Sequence, residues 1–296
     1  MDAVRLLNFF NRLLISNISI KRKNNRLVAC LSGTYKNMTI VILTICATFY
    51  WGKQTFNALK GFSIIRNVTI ISTMILYTTI MFSLATLTIS GVIRRLKILE
   101  LCQRLIAFDM ELQKVFSVRC LGRYGWIKME MLLSTLVYLY LLWKKLRLLE
   151  QNLDMYVGVL SEVGRLILEC YLGHRLIFCQ LFVEILMKRF EALASVVKGN
   201  SFKLFLPLWD EILELKHLAA YVFGYTVLVG CIDALLACAM MSYSVLILFQ
   251  DTGSFKFILN DVVFPVFIDC LLHTFIWFAV SYRCGMIEEK VGSQIW

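Results

Sequence analysis

Glu162, Arg165 and Glu169 stand three and four residues apart inside a long apolar run, and His174 and Arg175 follow them. On a helix this spacing puts the first three on one face, where Arg165 can bridge both carboxylates. Two later apolar runs carry similar groups: Asp233 in one, and Asp269 with His273 four residues on in the other. A charge at the centre of a membrane helix costs roughly 2.5–3.5 kcal/mol on insertion scales, so such residues often mark function. Two readings stay open. Glu162, Arg165, Glu169, Asp233, Asp269 and His273 line a polar, water-accessible ligand pocket in the outer half of a bundle. Alternatively they are internal salt bridges and interhelical hydrogen bonds that hold helices together. Tyr77, Tyr138, Tyr140 and Tyr243 could stack on an organic ligand or simply pack. Pro265, one turn before Asp269, is expected to kink its helix and free a backbone carbonyl.

Motifs for catalysis are missing. The chain contains no His-Glu-x-x-His, no Gly-rich phosphate loop and no Gly-x-Ser-x-Gly. No enzyme activity and no cofactor are expected. The ten cysteines show no Cys-x-x-Cys spacing, so neither a metal site nor a disulfide framework is expected, and they read as small apolar packing residues.

These groups must be positioned by six apolar runs, near Met38–Phe56, Val68–Ile93, Trp126–Trp143, Met155–Leu186, Leu218–Phe249 and Phe257–Tyr282. Each approaches or exceeds the ~20 helical residues that cross a hydrocarbon core of about 30 Å. Backbone groups in lipid must bond internally, so each run is predicted to be a helix. The fold expected is therefore all-α, a multi-pass transmembrane bundle of six spans. The composition agrees: 59% of 296 residues are hydrophobic and mean hydropathy is +0.72. The net charge of +11 lies between the runs, so it reports topology and not nucleic-acid binding.

Lysines and arginines are roughly three times as frequent in the segments that share a side with the N-terminus as in the others, which predicts cytosolic ends. Three regions follow: 1–37, a cytosolic amphipathic segment; 38–282, the bundle with helical inner loops; and 283–296, a short cytosolic tail. The opening MDAVRLLNFFNRLLISNISIKRK, broken by Asn8, Asn11 and Arg12, is read as a helix lying against the membrane and not as a signal peptide. Lys21, Arg22 and Lys23 would meet anionic headgroups. Trp126 and Trp143 fit the two interfacial belts, with Lys128 and Glu130 in the first turn, where a long side chain can snorkel. The inner segments Arg94–Lys114 and Leu206–Leu215 have helical apolar spacing and are expected to continue the spans beyond the bilayer and pack together.

The inner stretch LELCQRLIAFDMELQKV, with its acidic Asp109, the run LWDEILELKHLAAYVFGYTVLVGCIDALLACAMMSY and the end FAVSYRCGMIEEK resemble the insect gustatory receptors, a branch of the insect seven-span chemoreceptors. The resemblance covers most of the chain. It implies a ligand-gated cation channel, tetrameric, built as a homo- or hetero-oligomer with other receptor subunits in the plasma membrane of sensory neurons. It also implies a small organic tastant bound between the second and sixth spans, with membrane lipid around the bundle. The family's last span, with Thr-Tyr, apolar residues and Gln-Phe, is not found before Trp296. The expectation is thus a receptor subunit that works with complete partners, or a truncated, non-conducting form. A secondary transporter of a small solute is the alternative from another class.

Overall fold

The computed structural model describes residues 2–13, 15–16, 18–23, 26–32, scattered positions between 42 and 87, and 89–118, 124–151, 156–197, 202–252 and 263–293. Most of the expected first and second spans lies outside the described residues. Among the described residues, six helices and one hairpin carry the fold: α1 (Asp2–Arg12), β1 (Ile18–Lys23), β2 (Arg26–Leu31), α2 (Arg95–Phe116), α3 (Gly125–Gln151), α4 (Tyr156–Val197), α5 (Phe202–Thr252) and α6 (Val263–Ser293).

Among the described residues, three helices are long and apolar enough to cross a membrane, over Gly125–Lys144, Glu169–Val196 and Phe205–Leu236. The last two windows sit roughly three to four turns beyond the spans expected from sequence, towards the C-terminus for α4 and the N-terminus for α5. Both helices run on without a break: α4 has 42 residues and α5 has 51. At 1.5 Å per residue they extend about 60 and 75 Å, twice a hydrocarbon core or more. The predicted inner segment Leu206–Leu215 is thus continuous with its span, whereas Arg94–Lys114 forms a helix that starts at Arg95. Pro207 sits in the second turn of α5 without ending it. Pro265 is the third residue of α6, a first-turn position where its missing N–H leaves no helical bond unmade.

α4 is the central helix. Its apolar window is 78% buried, against 28% for α3 and 41% for α5. It packs on α1, α3, α5 and α6. The outer helices instead show apolar stripes at spacings of three and four: Met129, Leu132, Leu136, Leu139 and Trp143 on α3, and Tyr221, Tyr225, Leu228, Ile232 and Leu235 on α5. Stripes of this size are rarely left in water. In lipid they cost nothing, and α4, whose apolar window is mostly covered by protein, has no need of one. Where α4 and α5 cross, Gly230 allows the close approach, since a Cβ there would lie 2.7 Å from Cδ2 of Leu176.

The N-terminal segment departs from expectation twice. Its helix forms, but Leu6, Leu7 and Phe10 face the bundle core and not lipid. The segment after it is an antiparallel hairpin and not part of an all-helical chain, with Ile18 paired to Leu31 and Lys23 to Arg26. Asn8 joins the two pieces. Its Nδ2 donates to the Ile20 carbonyl at 2.9 Å and its Oδ1 accepts from the Ile20 N–H at 2.8 Å, so a side-chain amide stands in for a strand neighbour. Alternation in β1 turns Ile18 and Ile20 inward.

α1, the hairpin and α2 close one end of the bundle around α4. A cavity of about 100 Å³ remains there, bordered by Leu7, Cys102, Asp109, Tyr124 and Arg189. Burial pushes the Cys102 thiol up to about 12, and the nearby Arg189 charge only partly opposes this. The folded pKa lies above that of the open chain, so this group's contribution to stability is intact below about 9 and is lost as pH climbs towards 12. At mildly alkaline pH, Cys102 should resist maleimide in the native chain and react once the chain is unfolded. Equal labelling rates in the two states would show that this end is open.

Candidate functional site

The site search starts with the six residues singled out by sequence. Glu169 is buried in α4. Glu162 and Arg165 fall in the first turns of α4, Asp233 in α5, and Asp269 and His273 in α6, but their side chains lie outside the described residues. Of the four tyrosines, Tyr138 is buried against α4, Tyr140 is exposed beside Trp143, and Tyr77 and Tyr243 lie outside the described side chains.

Next to Glu169 the structure opens a groove. Thr135, Tyr138, Leu139 and Leu142 of α3 and Leu166, Ile167 and Cys170 of α4 enclose about 180 Å³. Its walls are almost wholly apolar; the Thr135 hydroxyl meets His174, which lies outside the lining. There Nδ1 of His174 lies 2.7 Å from the Cys170 carbonyl oxygen, which can only accept, so Nδ1 carries the proton. Nε2 lies 3.1 Å from the Thr135 hydroxyl, which donates to the Met131 carbonyl at 2.8 Å. His174 thereby spans the two helices. A groove of this kind suits a small, apolar organic molecule.

One to two turns further towards the α2 end, charges tie the helices together. Arg283 of α6 is 7% exposed and Glu130 of α3 is 4% exposed. Nη2 of Arg283 donates to Oε1 of Glu130 at 3.0 Å and Nη1 donates to Oε2 at 3.4 Å, a two-pronged pair. Nη1 also donates to Oε1 of Gln180, and Nε lies 3.8 Å from Glu184, both on α4. Gln180 in turn donates to the Ile276 carbonyl at 3.0 Å. Glu130 therefore does not snorkel. It faces inward because a buried guanidinium there satisfies it better than a distant interface would.

Two more bridges complete the closed end. Arg189 of α4 donates to Asp109 of α2 at 2.5 Å. Arg104 of α2 holds Glu211 of α5 through two bonds of 2.9 Å and reaches Glu214 at 2.5 Å, and these acids raise its pKa further. Asp109, noticed in sequence only as part of a family-like stretch, is thus a packing anchor for α4. Sequence reasoning missed the Glu130–Arg283 pair because each residue was assigned to a membrane edge. The available signal was that Glu130 lies on the same helical face as Ser134 and Tyr138, the face α3 buries.

Among the described residues no group of three His, Cys, Asp or Glu side chains could hold a metal ion. No protein-family model and no curated protein matches this chain.

Proposed function

We propose that the chain is a chemosensory receptor subunit of the insect gustatory type, a multi-pass protein of the plasma membrane of sensory neurons. It would bind a small organic tastant and bias a ligand-gated cation channel formed with complete subunits. The observation that carries this reading is the α3–α4 groove, an apolar pocket one to two turns from a charge network that joins three helices.

On the topology given by the loop charges, the groove lies in the outer half of the bundle and the Glu130–Arg283 pair in the inner half. A molecule wedged between α3 and α4 would favour one of two spacings of those helices. Arg283 bridges α3, α4 and α6, so a change in spacing would reach α6 through a single side chain. A ligand shifts such an equilibrium only by its difference in affinity for the two arrangements.

The test is electrophysiology in cells expressing complete receptor subunits with and without this chain, across a panel of tastants. Currents identical in both sets would overturn the proposal. Within the groove, Ile167→Trp fills space from an exposed position and should leave the fold intact. It should weaken the response to an active tastant by about tenfold or more, the loss of some 1.4 kcal/mol of binding. An unchanged dose–response for Ile167→Trp would place the ligand elsewhere.

A further inference from the structure

On the other side of α4, away from the groove, a small cavity lies under the α1–β1 connection and between α4, α5 and the start of α2. Three arginines line it, Arg94, Arg95 and Arg175, together with the hydroxyl residues Ser16, Ser90 and Thr226. No carboxylate is among its described lining residues. Arg175 is 9% exposed, and among the described residues no carboxylate lies within ion-pair distance of it. Its guanidinium rests against Gly91, where any larger residue would collide with it. Every other buried arginine described has an acid: Arg283 has Glu130 and Arg189 has Asp109. Arg94 is fixed from the side. It donates to the carbonyls of Tyr221 and Val222 at 2.7 and 3.1 Å and stands over the Tyr221 ring.

A buried guanidinium with no counter-charge is costly, and the usual remedy is an anion. The cavity measures about 30 Å³. That is more than the roughly 10–15 Å³ one water requires and fits a compact oxyanion entering from the mouth. Guanidinium forks and hydroxyl donors match phosphate oxygens, and three positive charges match a dianion. The place is telling too. Arg94 and Arg95 come directly after the second apolar run, where a span would meet the headgroups of the leaflet on the N-terminal side. From this geometry we infer that the Arg94–Arg95–Arg175 cavity is a binding site for a phosphate monoester. The group comes from an anionic lipid headgroup at that leaflet or from a soluble phosphate. The site stands on these residues alone and does not depend on the receptor reading.

The experiment uses the full chain, purified and melted in three settings. These are nanodiscs of phosphatidylcholine, nanodiscs with added phosphatidylinositol 4-phosphate, and nanodiscs with phosphatidylserine at matched charge. A fourth arm adds millimolar inorganic phosphate to the first. The monoester lipid should raise the melting temperature more than phosphatidylserine does. If inorganic phosphate does the same, the source is soluble phosphate; if only the lipid does, it is the headgroup. Both results support the site. Arg175→Gln should abolish the shift and weaken binding of a short-chain fluorescent phosphoinositide about tenfold, the loss of a charge-assisted pair of bonds. In plain phosphatidylcholine, Arg175→Gln should melt no lower than the parent, since it removes a buried charge that no described carboxylate balances. Gly91→Ala serves as the second variant, because it keeps every charge and only displaces the guanidinium. It should weaken binding even if Arg175→Gln fails to fold. Equal shifts for monoester lipid and phosphatidylserine, or Gly91→Ala binding as the parent does, would overturn the assignment.

Discussion

Arg283→Met should destabilise the chain by about 3–5 kcal/mol, the cost of leaving a buried charge without its partner. The substitution keeps most of the side-chain volume. It strips Glu130 of both guanidinium bonds and Gln180 of its charged donor. Glu184 is affected less, because Lys188 lies 3.9 Å away on the same helix. The measurement is thermal melting of detergent-purified protein, with folded yield as a second readout. The double variant Glu130→Met, Arg283→Met should recover most of the loss, since a buried ion pair replaced by apolar groups of similar size is often neutral. If the double variant is as unstable as Arg283→Met alone, packing and not charge explains the effect. If Arg283→Met melts with the parent, the pair is no part of what joins α3, α4 and α6.

Phe10→Ala should free the N-terminal segment while leaving the bundle folded. Phe10 is fully buried, and its ring meets Phe178 of α4 edge-on at 5.2 Å. Phe178 belongs to a cluster with Phe182 and Phe223, so one ring links α1 to both long helices. Truncating a core phenylalanine costs about 3–5 kcal/mol. α1 reaches α4 through few other contacts, so most of that loss should appear as local opening and not as global unfolding. Amide hydrogen exchange in α1 and the hairpin should accelerate between roughly a hundredfold and a few thousandfold. The central turns of α4 should change little. Exchange that rises equally in α1 and α4 would mean the segment folds as one unit with the bundle.

The helical, membrane-length character of the chain could be read from residue types alone. A run such as Trp126–Trp143 can bond its backbone in lipid only as a helix, whatever surrounds it. The inner segments Arg94–Lys114 and Leu206–Leu215 were equally readable, because apolar spacing at three and four residues is a local property. The hairpin was not. Its strands bring Ile18 and Ile20 against α1 and borrow a partner from Asn8, and no window of sequence contains that juxtaposition. The centrality of α4 was hidden for a similar reason. Its composition resembles that of α5, and only packing shows that α5 keeps a free apolar stripe while α4 does not.

Charges divide in the same way. Counting lysines and arginines yields an expected orientation, since that is a sum over segments and needs no partners. Which charge is buried, and beside what, is a pairwise question settled in three dimensions. Arg283 and Arg175 are the same residue type near the ends of apolar stretches. One finds Glu130 from a helix about 150 residues away in sequence, and the other finds the backbone of Gly91 and no acid among the described residues. The amino-acid order alone determined that this chain forms long apolar helices. The tertiary structure alone decided which ionisable groups those helices enclose, because solvation and pairing depend on neighbours that the order along the chain does not specify.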